Sequence, residues 1–179
     1  MTELNDADLV AQCLGGDTRA FEQLVEKYQR PLFNIALRMV RDCEDARDIT
    51  QNVFIKAYES LGIYDPGHKL FSWLYRIAVN ESLNWIKRRS SFARAAKQWL
   101  LSNPGRVEPA QGDAGPDARL AKALMKLKPE HRSVVVLKHL SGCSYRDLST
   151  ILAIPEKTVK SRLFEARRLL RDILSAERA

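Results

Sequence analysis

The sequence predicts an all-α protein, built as two small helical domains joined by a flexible linker. Three observations predict it. Apolar residues recur at spacings of three and four along most of the chain, the period of a helix with one buried face. No stretch sustains the alternation of a strand, and the ambiguous Val134-Val135-Val136 sits in a helical context. Between about Ala95 and Pro116 the period stops, and Asn103-Pro-Gly105, Pro109 and Gly112-Asp-Ala-Gly-Pro116 make a segment of low hydrophobicity. The expected division is a first domain at 1–94, a linker at 95–117 and a second domain at 118–179.

Leu9, Val10, Cys13 and Leu14 form a short amphipathic stripe, closed by Gly15-Gly16, with Asp17 as the next N-cap. Phe21, Leu24, Val25 and Tyr28 follow at helical spacing. Pro31 then stands where a new helix can begin, carrying Leu32, Ile35, Ala36 and Met39. Asp42 to Asp45 can cap a helix whose apolar positions are Ala46, Ile49, Val53, Ala57 and Leu61. Gly62 to His68 has the composition of a turn-rich loop. Phe71, Leu74, Ile77, Ala78 and Leu83 mark a further helix that ends in Lys87-Arg88-Arg89, and periodicity resumes at Leu120, Leu124 and Leu127 before Pro129.

A 45% apolar content suffices for folded cores, and 28% charged residues is ordinary for a soluble chain. No apolar run approaches the ~20 residues that cross a bilayer, and the acidic start MTELNDADLV lacks the order of a signal peptide. Cys13, Cys43 and Cys143 are far apart and odd in number, which argues against a disulfide framework or a zinc site. A reducing cytoplasm is the expected location, with the thiols serving as small buried hydrophobes. His68, His131 and His139 build no catalytic or metal spacing, and no phosphate loop or nucleophile elbow occurs. An enzyme is therefore not expected, nor a metal or cofactor.

The net charge is +7, and its distribution says more than its size. Met1 to Glu26 holds six acidic residues and one basic one, whereas Arg76 to Lys97 and Lys157 to Arg171 each hold six basic residues against one glutamate. Two basic patches behind an acidic front suggest two contacts with nucleic acid and a different surface for another partner.

Tyr145 to Phe164 reads as a helix-turn-helix. Leu148, Ile151 and Leu152 face inward on its first helix, Ser149 and Ala153 are small where the helices approach, and Ile154-Pro155 fills the turn. Val159, Leu163, Ala166, Leu170 and Ile173 then repeat at helical spacing. Lys157, Thr158, Lys160, Ser161 and Arg162 stand near the end that meets base edges, and Arg167, Arg168 and Arg171 lie further along, within reach of phosphates. Alone, this motif fits a repressor as well as any other duplex-binding protein.

Two earlier segments narrow the choice. Glu44-Asp-Ala-Arg-Asp-Ile-Thr-Gln-Asn-Val-Phe-Ile-Lys-Ala-Tyr58 resembles the core-binding helix of RNA polymerase sigma factors. Phe71-Ser-Trp-Leu-Tyr-Arg-Ile-Ala-Val-Asn80, followed by Lys87-Arg88-Arg89, resembles the segment that opens and reads the promoter −10 element. With the helix-turn-helix in place, the chain resembles the extracytoplasmic-function (group IV) sigma factors of the sigma-70 family along nearly its whole length.

That resemblance implies a region 2 bundle, a region 4 helix-turn-helix and a specificity subunit with no catalysis of its own. Asp45, Asp48, Gln51, Asn52 and Lys56 form a polar stripe that periodicity alone would leave to solvent; the resemblance assigns it to the clamp helices of the polymerase largest subunit. It places a base pocket in the loop around Tyr64, Asp65, His68 and Lys69, with Asn80 beside it. Tyr75, Arg76, Asn84, Lys87 and Arg88 are the further −10 candidates, while Phe71, Trp73 and Leu74 are read as core. The second domain would read the −35 element as duplex and meet the flap of the second-largest subunit. Promoter DNA, core RNA polymerase and an anti-sigma factor are the implied partners.

Overall fold

The computed structural model describes the backbone of residues 5–102 and 116–176, and the side chains of 5–92, 118–139 and 141–176. Eight α-helices account for most of it: α1 (Asp6–Leu14), α2 (Thr18–Val40), α3 (Cys43–Ser60), α4 (Leu70–Ser102), α5 (Pro116–Lys126), α6 (Pro129–Val135), α7 (Tyr145–Leu152) and α8 (Glu156–Ala176). A single 3₁₀ turn, Leu61–Ile63, follows α3, and a π-helical turn, Val136–Leu140, extends α6. No strand occurs among the described residues.

Side-chain caps begin each of the first three helices. Asn5 accepts from the Asp8 N–H at 3.0 Å, Asp17 from Arg19 at 2.9 Å, and Asp42 from both Glu44 and Asp45 at 3.0 Å. Helix α1 is tied to α2 by Asp6, which accepts from the Tyr28 hydroxyl at 2.6 Å and pairs with Lys27 at 2.7 Å. Burial first, and that hydrogen bond second, raise the Tyr28 pKa well above the ordinary phenol value.

Pro31 does not start a helix. It lies inside α2, which runs unbroken from Thr18 to Val40. A proline there removes one ladder bond and costs about 3 kcal/mol. The helix continues because Leu24, Tyr28, Leu32, Ile35, Ala36 and Met39, all buried, fall in phase across it. Backbone helix also passes the expected domain edge at 94: α4 reaches Ser102, since nothing between Ala95 and Leu101 breaks a helix. Of the predicted linker, 103–115 lies outside the described residues.

Helices α2, α3 and α4 pack as a bundle around Leu32, Ile35, Met39, Ile49, Val53 and Val79, each at most 1% exposed. Helices α5 to α8 enclose Leu124, Val134, Leu137, Leu148, Ile151 and Leu163. The two sets join in one continuous cluster of buried side chains.

In the second half, Ser144 and Asp147 form a reciprocal capping box at the start of α7. Helix α7 closes at Ala153, which adopts φ 52°, ψ 43°. The Ser149 hydroxyl donates to the Ile154 carbonyl at 2.6 Å, holding the turn that Ile154-Pro155 makes into α8. A left-handed alanine is strained by roughly 1–2 kcal/mol, part of which the freer unfolded chain of a glycine cancels. Ala153→Gly is therefore expected to stabilise the protein by about 0.5–1 kcal/mol, read as a rise in the urea midpoint at unchanged slope.

The thiols divide three ways. Cys143 is buried, Cys13 is half-buried, and Cys43 at the first turn of α3 is exposed, against expectation. Burial, with Asp147 adding to it, pushes the Cys143 thiol up to about 11, so it stays protonated.

Candidate functional site

Three surfaces carry the candidate residues. On the first, α2 and α3 leave a groove of about 910 Å³ between them. Phe21, Val25, Phe33, Phe54, Ile55 and Tyr58 line it, with Glu26, Arg30, Arg47, Gln51 and Glu59 among its polar residues. Phe21 stands edge-on to Tyr58 at 5.0 Å between ring centres and to Phe54 at 6.4 Å. Ile55 and Tyr58 are 49% and 57% exposed. Exposed apolar groups rimmed by charge mark an interaction surface.

The polar stripe expected to dock is divided by this geometry. Gln51 lines the groove. Asp48 and Asn52 are exposed outside its lining. Asp45 and Lys56 turn towards α4, pairing with Arg89 at 2.8 Å and Glu81 at 2.7 Å. Sequence reasoning missed Phe54, Ile55 and Tyr58. Their signal was available, because none of the three belongs to the buried stripe Ala46, Ile49, Val53 and Ala57 of the same helix.

The second surface is the loop before α4 and the outer face of that helix. Tyr64 leans on Trp73 at 5.2 Å and donates its hydroxyl to the His68 carbonyl. Asp65 accepts from the Gly67 N–H at 2.8 Å and lies 3.7 Å from His68. Lys69 sits 5.4 Å from the Phe71 ring centre. Arg76, Asn80, Asn84, Lys87 and Arg88 then recur at helical spacing, all exposed, and their side chains have no ion pair or hydrogen bond among the described residues. This is a cationic and amide stripe open to a polyanion.

Tyr75 does not join that stripe. It is 8% exposed and packs edge-on to Phe71 at 5.6 Å, which removes it from the DNA-facing candidates. Its position one residue before Arg76 places it on the inward side of α4. Leu74 is buried, while Phe71 and Trp73 are half-buried against the core, as expected.

The third surface is α8. Val159, Leu163, Ala166 and Leu170 are buried. Lys157, Lys160, Ser161, Arg168 and Arg171 are exposed on the opposite side. Phe164, which sequence reasoning passed over, stands in the middle of that stripe at 74% exposure. Lys160 lies 5.6 Å from the Tyr145 ring centre, a cation–π contact that steadies it. Thr158 and Arg162 are half-buried on the flank, which makes Arg162 a weaker base-reading candidate than its spacing implied. Arg167 donates to His139 at 3.3 Å, and burial, then Arg167 and Lys138, hold the His139 pKa below its ordinary value. A neutral imidazole accepts from Arg167 and fixes it beside the stripe.

Residues 24–92 match the family model for Sigma-70 region 2, and residues 117–170 match that for Sigma-70, region 4. The chain is 32% identical over 178 residues to the RNA polymerase sigma-H factor of Pseudomonas aeruginosa, covering 93% of this chain and 92% of that one. The ECF RNA polymerase sigma factor SigM of Mycobacterium tuberculosis is 33% identical over 172 residues, with 96% and 86% covered. The chain belongs to the extracytoplasmic-function sigma factors of the sigma-70 family. Among solved structures, CnrH in complex with the cytosolic domain of CnrY aligns with TM-score 0.71 at 30% identity, over 94% of this chain and 96% of that one. The sigma factor RpoE in complex with the anti-sigma factor NepR from Bartonella quintana also gives 0.71, at 26% identity over 87% and 96%. The bundle that carries the groove and the α4 stripe is therefore region 2 of this sigma factor, and the helix-turn-helix is its region 4. No described helix is long and apolar enough to cross a membrane.

Proposed function

We propose that this sigma factor binds core RNA polymerase through the α2/α3 groove and reads two promoter elements with two separate helices. The carrying observation is that α4 and α8, one in each matched region, each expose a cationic and polar stripe opposite a buried face. Arg76, Asn80, Asn84, Lys87 and Arg88, with the Tyr64–Lys69 loop, hold the opened −10 strand: cations grip the backbone, and asparagine offers both donor and acceptor to a base edge. Lys157, Lys160, Ser161 and Phe164 enter the −35 major groove, where an apolar ring meets a thymine methyl, while Arg168 and Arg171 hold phosphates. The clamp helices of the largest subunit are the partner of the groove, and the flap of the second-largest subunit that of region 4. An anti-sigma factor is the regulator, as the two complexes above support, and the cytoplasm is the location.

Core polymerase mixed with the purified protein, followed by mapping of transcription starts on genomic DNA, tests the reading. Starts that need both components and share one upstream −35/−10 pair support it. Sequence-specific DNA binding without any polymerase association refutes it in favour of a repressor. On the −35 element, Lys160→Ala is expected to cost about 1–3 kcal/mol at the matched base and Arg162→Ala less. Arg168→Ala should weaken binding evenly across sequences and lower its salt dependence; titrations at several salt concentrations separate the three.

A further inference from the structure

Tyr145 opens α7 directly after the Ser144 N-cap, and its ring meets two cations from two other elements. Lys138, in the π-helical turn that extends α6, places Nζ 4.8 Å from the ring centre. Lys160 of α8 places its own at 5.6 Å. Three features hold the ring. The reciprocal capping box of Ser144 and Asp147 fixes the first residue of the helix. The side chain is half-buried against the core cluster. Lys138 also donates to the Cys143 carbonyl at 3.0 Å, which ties its ammonium beside the ring. The Tyr145 hydroxyl has no hydrogen-bond partner among the described residues.

For Lys160 that ring is the one polar or aromatic contact among the described residues, and no carboxylate pairs with it. A lysine has four rotatable side-chain bonds, and a contact with a base edge must freeze them. A cation resting at an aromatic face starts from a narrowed set of rotamers, so less freedom is lost when DNA arrives. Lys157, three residues earlier and also exposed, has no ring contact or ion pair among the described residues. The two lysines therefore reach the major groove differently prepared, one aimed and the other not.

We propose that Tyr145 is a positioning residue for −35 readout: its ring, steadied by Lys138, aims the Lys160 ammonium at one base pair and sets discrimination there without touching a base itself. This role rests on the −35 reading given to Lys160 above.

Holoenzyme assembled from core polymerase and each variant is titrated against a fluorescein-labelled promoter duplex taken from the mapped starts. It is then titrated against the same duplex with each −35 base pair changed in turn. The ratio of the two dissociation constants is the discrimination at that pair, and Lys160→Ala identifies the pair that Lys160 reads. There Tyr145→Leu is expected to cut discrimination about two- to five-fold, the worth of an exposed cation–π contact, with the other pairs unchanged. Tyr145→Phe keeps the ring and should discriminate like the wild type. Added to Lys160→Ala, Tyr145→Leu should cost nothing more at that pair, whereas added to Lys157→Ala it should still cost its full share.

Discrimination that Tyr145→Leu leaves unchanged, or lowers evenly at every pair, overturns the positioning role. So does a Tyr145→Phe variant as poor as Tyr145→Leu, which would put the hydroxyl on a phosphate, or a Tyr145→Leu loss that adds to that of Lys160→Ala. In each of these cases Lys160 still reads its pair. Failure of the −35 reading shows instead as a Lys160→Ala holoenzyme that discriminates like the wild type at every pair, which removes the role together with the reading.

Discussion

Arg132→Ala is expected to lower the unfolding free energy by about 3–5 kcal/mol, with both regions losing protection. Arg132 is 4% exposed, and its guanidinium donates to four carbonyls, three at the C-terminal turn of α5 and its exit and one at the end of α2. Helix C-termini present carbonyls without donors and a partial negative charge, so a planar cation with five donors fits there as no other side chain does. Burial pulls its pKa below the ordinary arginine value, the sign of a desolvated charge held by its acceptors. Truncation takes this donor from all four carbonyls, of which Leu124 keeps the Leu127 N–H at 3.1 Å; each one left unpaired and dry costs about 1–3 kcal/mol, and the buried stem is lost as well. Arg132→Lys should recover less than half, because an ammonium cannot spread its donors over so wide a fork. Urea unfolding followed by circular dichroism and by tryptophan fluorescence checks the size of the loss. A change under 1 kcal/mol would show that water replaces the arginine.

How legible these features were depends on the range of the interactions behind them. The all-α class and the helix-turn-helix followed from periodicity, because a buried face at three- and four-residue spacing is a local property. The caps at Asp17 and Asp42 were equally local. Pro31 misled because the local rule against proline in a helix competes with a tertiary gain, the continuous burial of Leu24 through Met39. Tyr75 misled because an aromatic beside an arginine looks like a stacking platform until the phase of α4 turns it inward. On α8 the phase was readable: Phe164 lies four residues after Lys160 and four before Arg168, whereas Arg162 lies between stripe and core. Arg132 had no such signal. Its role exists only when carbonyls from α2 and α5 converge on one point, and no spacing in a single helix announces that.

The pair Ile55→Lys and Tyr58→Lys is expected to weaken association with core polymerase at least 30-fold, about 2 kcal/mol, while the lost ring contact between Tyr58 and Phe21 lowers the unfolding free energy by only about 0.5–1.5 kcal/mol. Both side chains are about half exposed, so charge placed there meets water in the free chain and is buried only when a partner helix docks. Desolvating an unpaired ammonium against Phe21, Phe54 and Phe33 is what costs affinity. Asp45→Ala and Lys56→Ala should have much smaller effects, since each loses a surface pair with α4 worth about 0–1 kcal/mol. Binding measured by competition with an unmodified sigma factor separates the two outcomes. If Asp45 and Lys56 prove decisive while Ile55 and Tyr58 are silent, the docking face is the polar stripe opposite α4. If the apolar pair dominates, the groove between α2 and α3 is the surface that polymerase and any competing regulator must share.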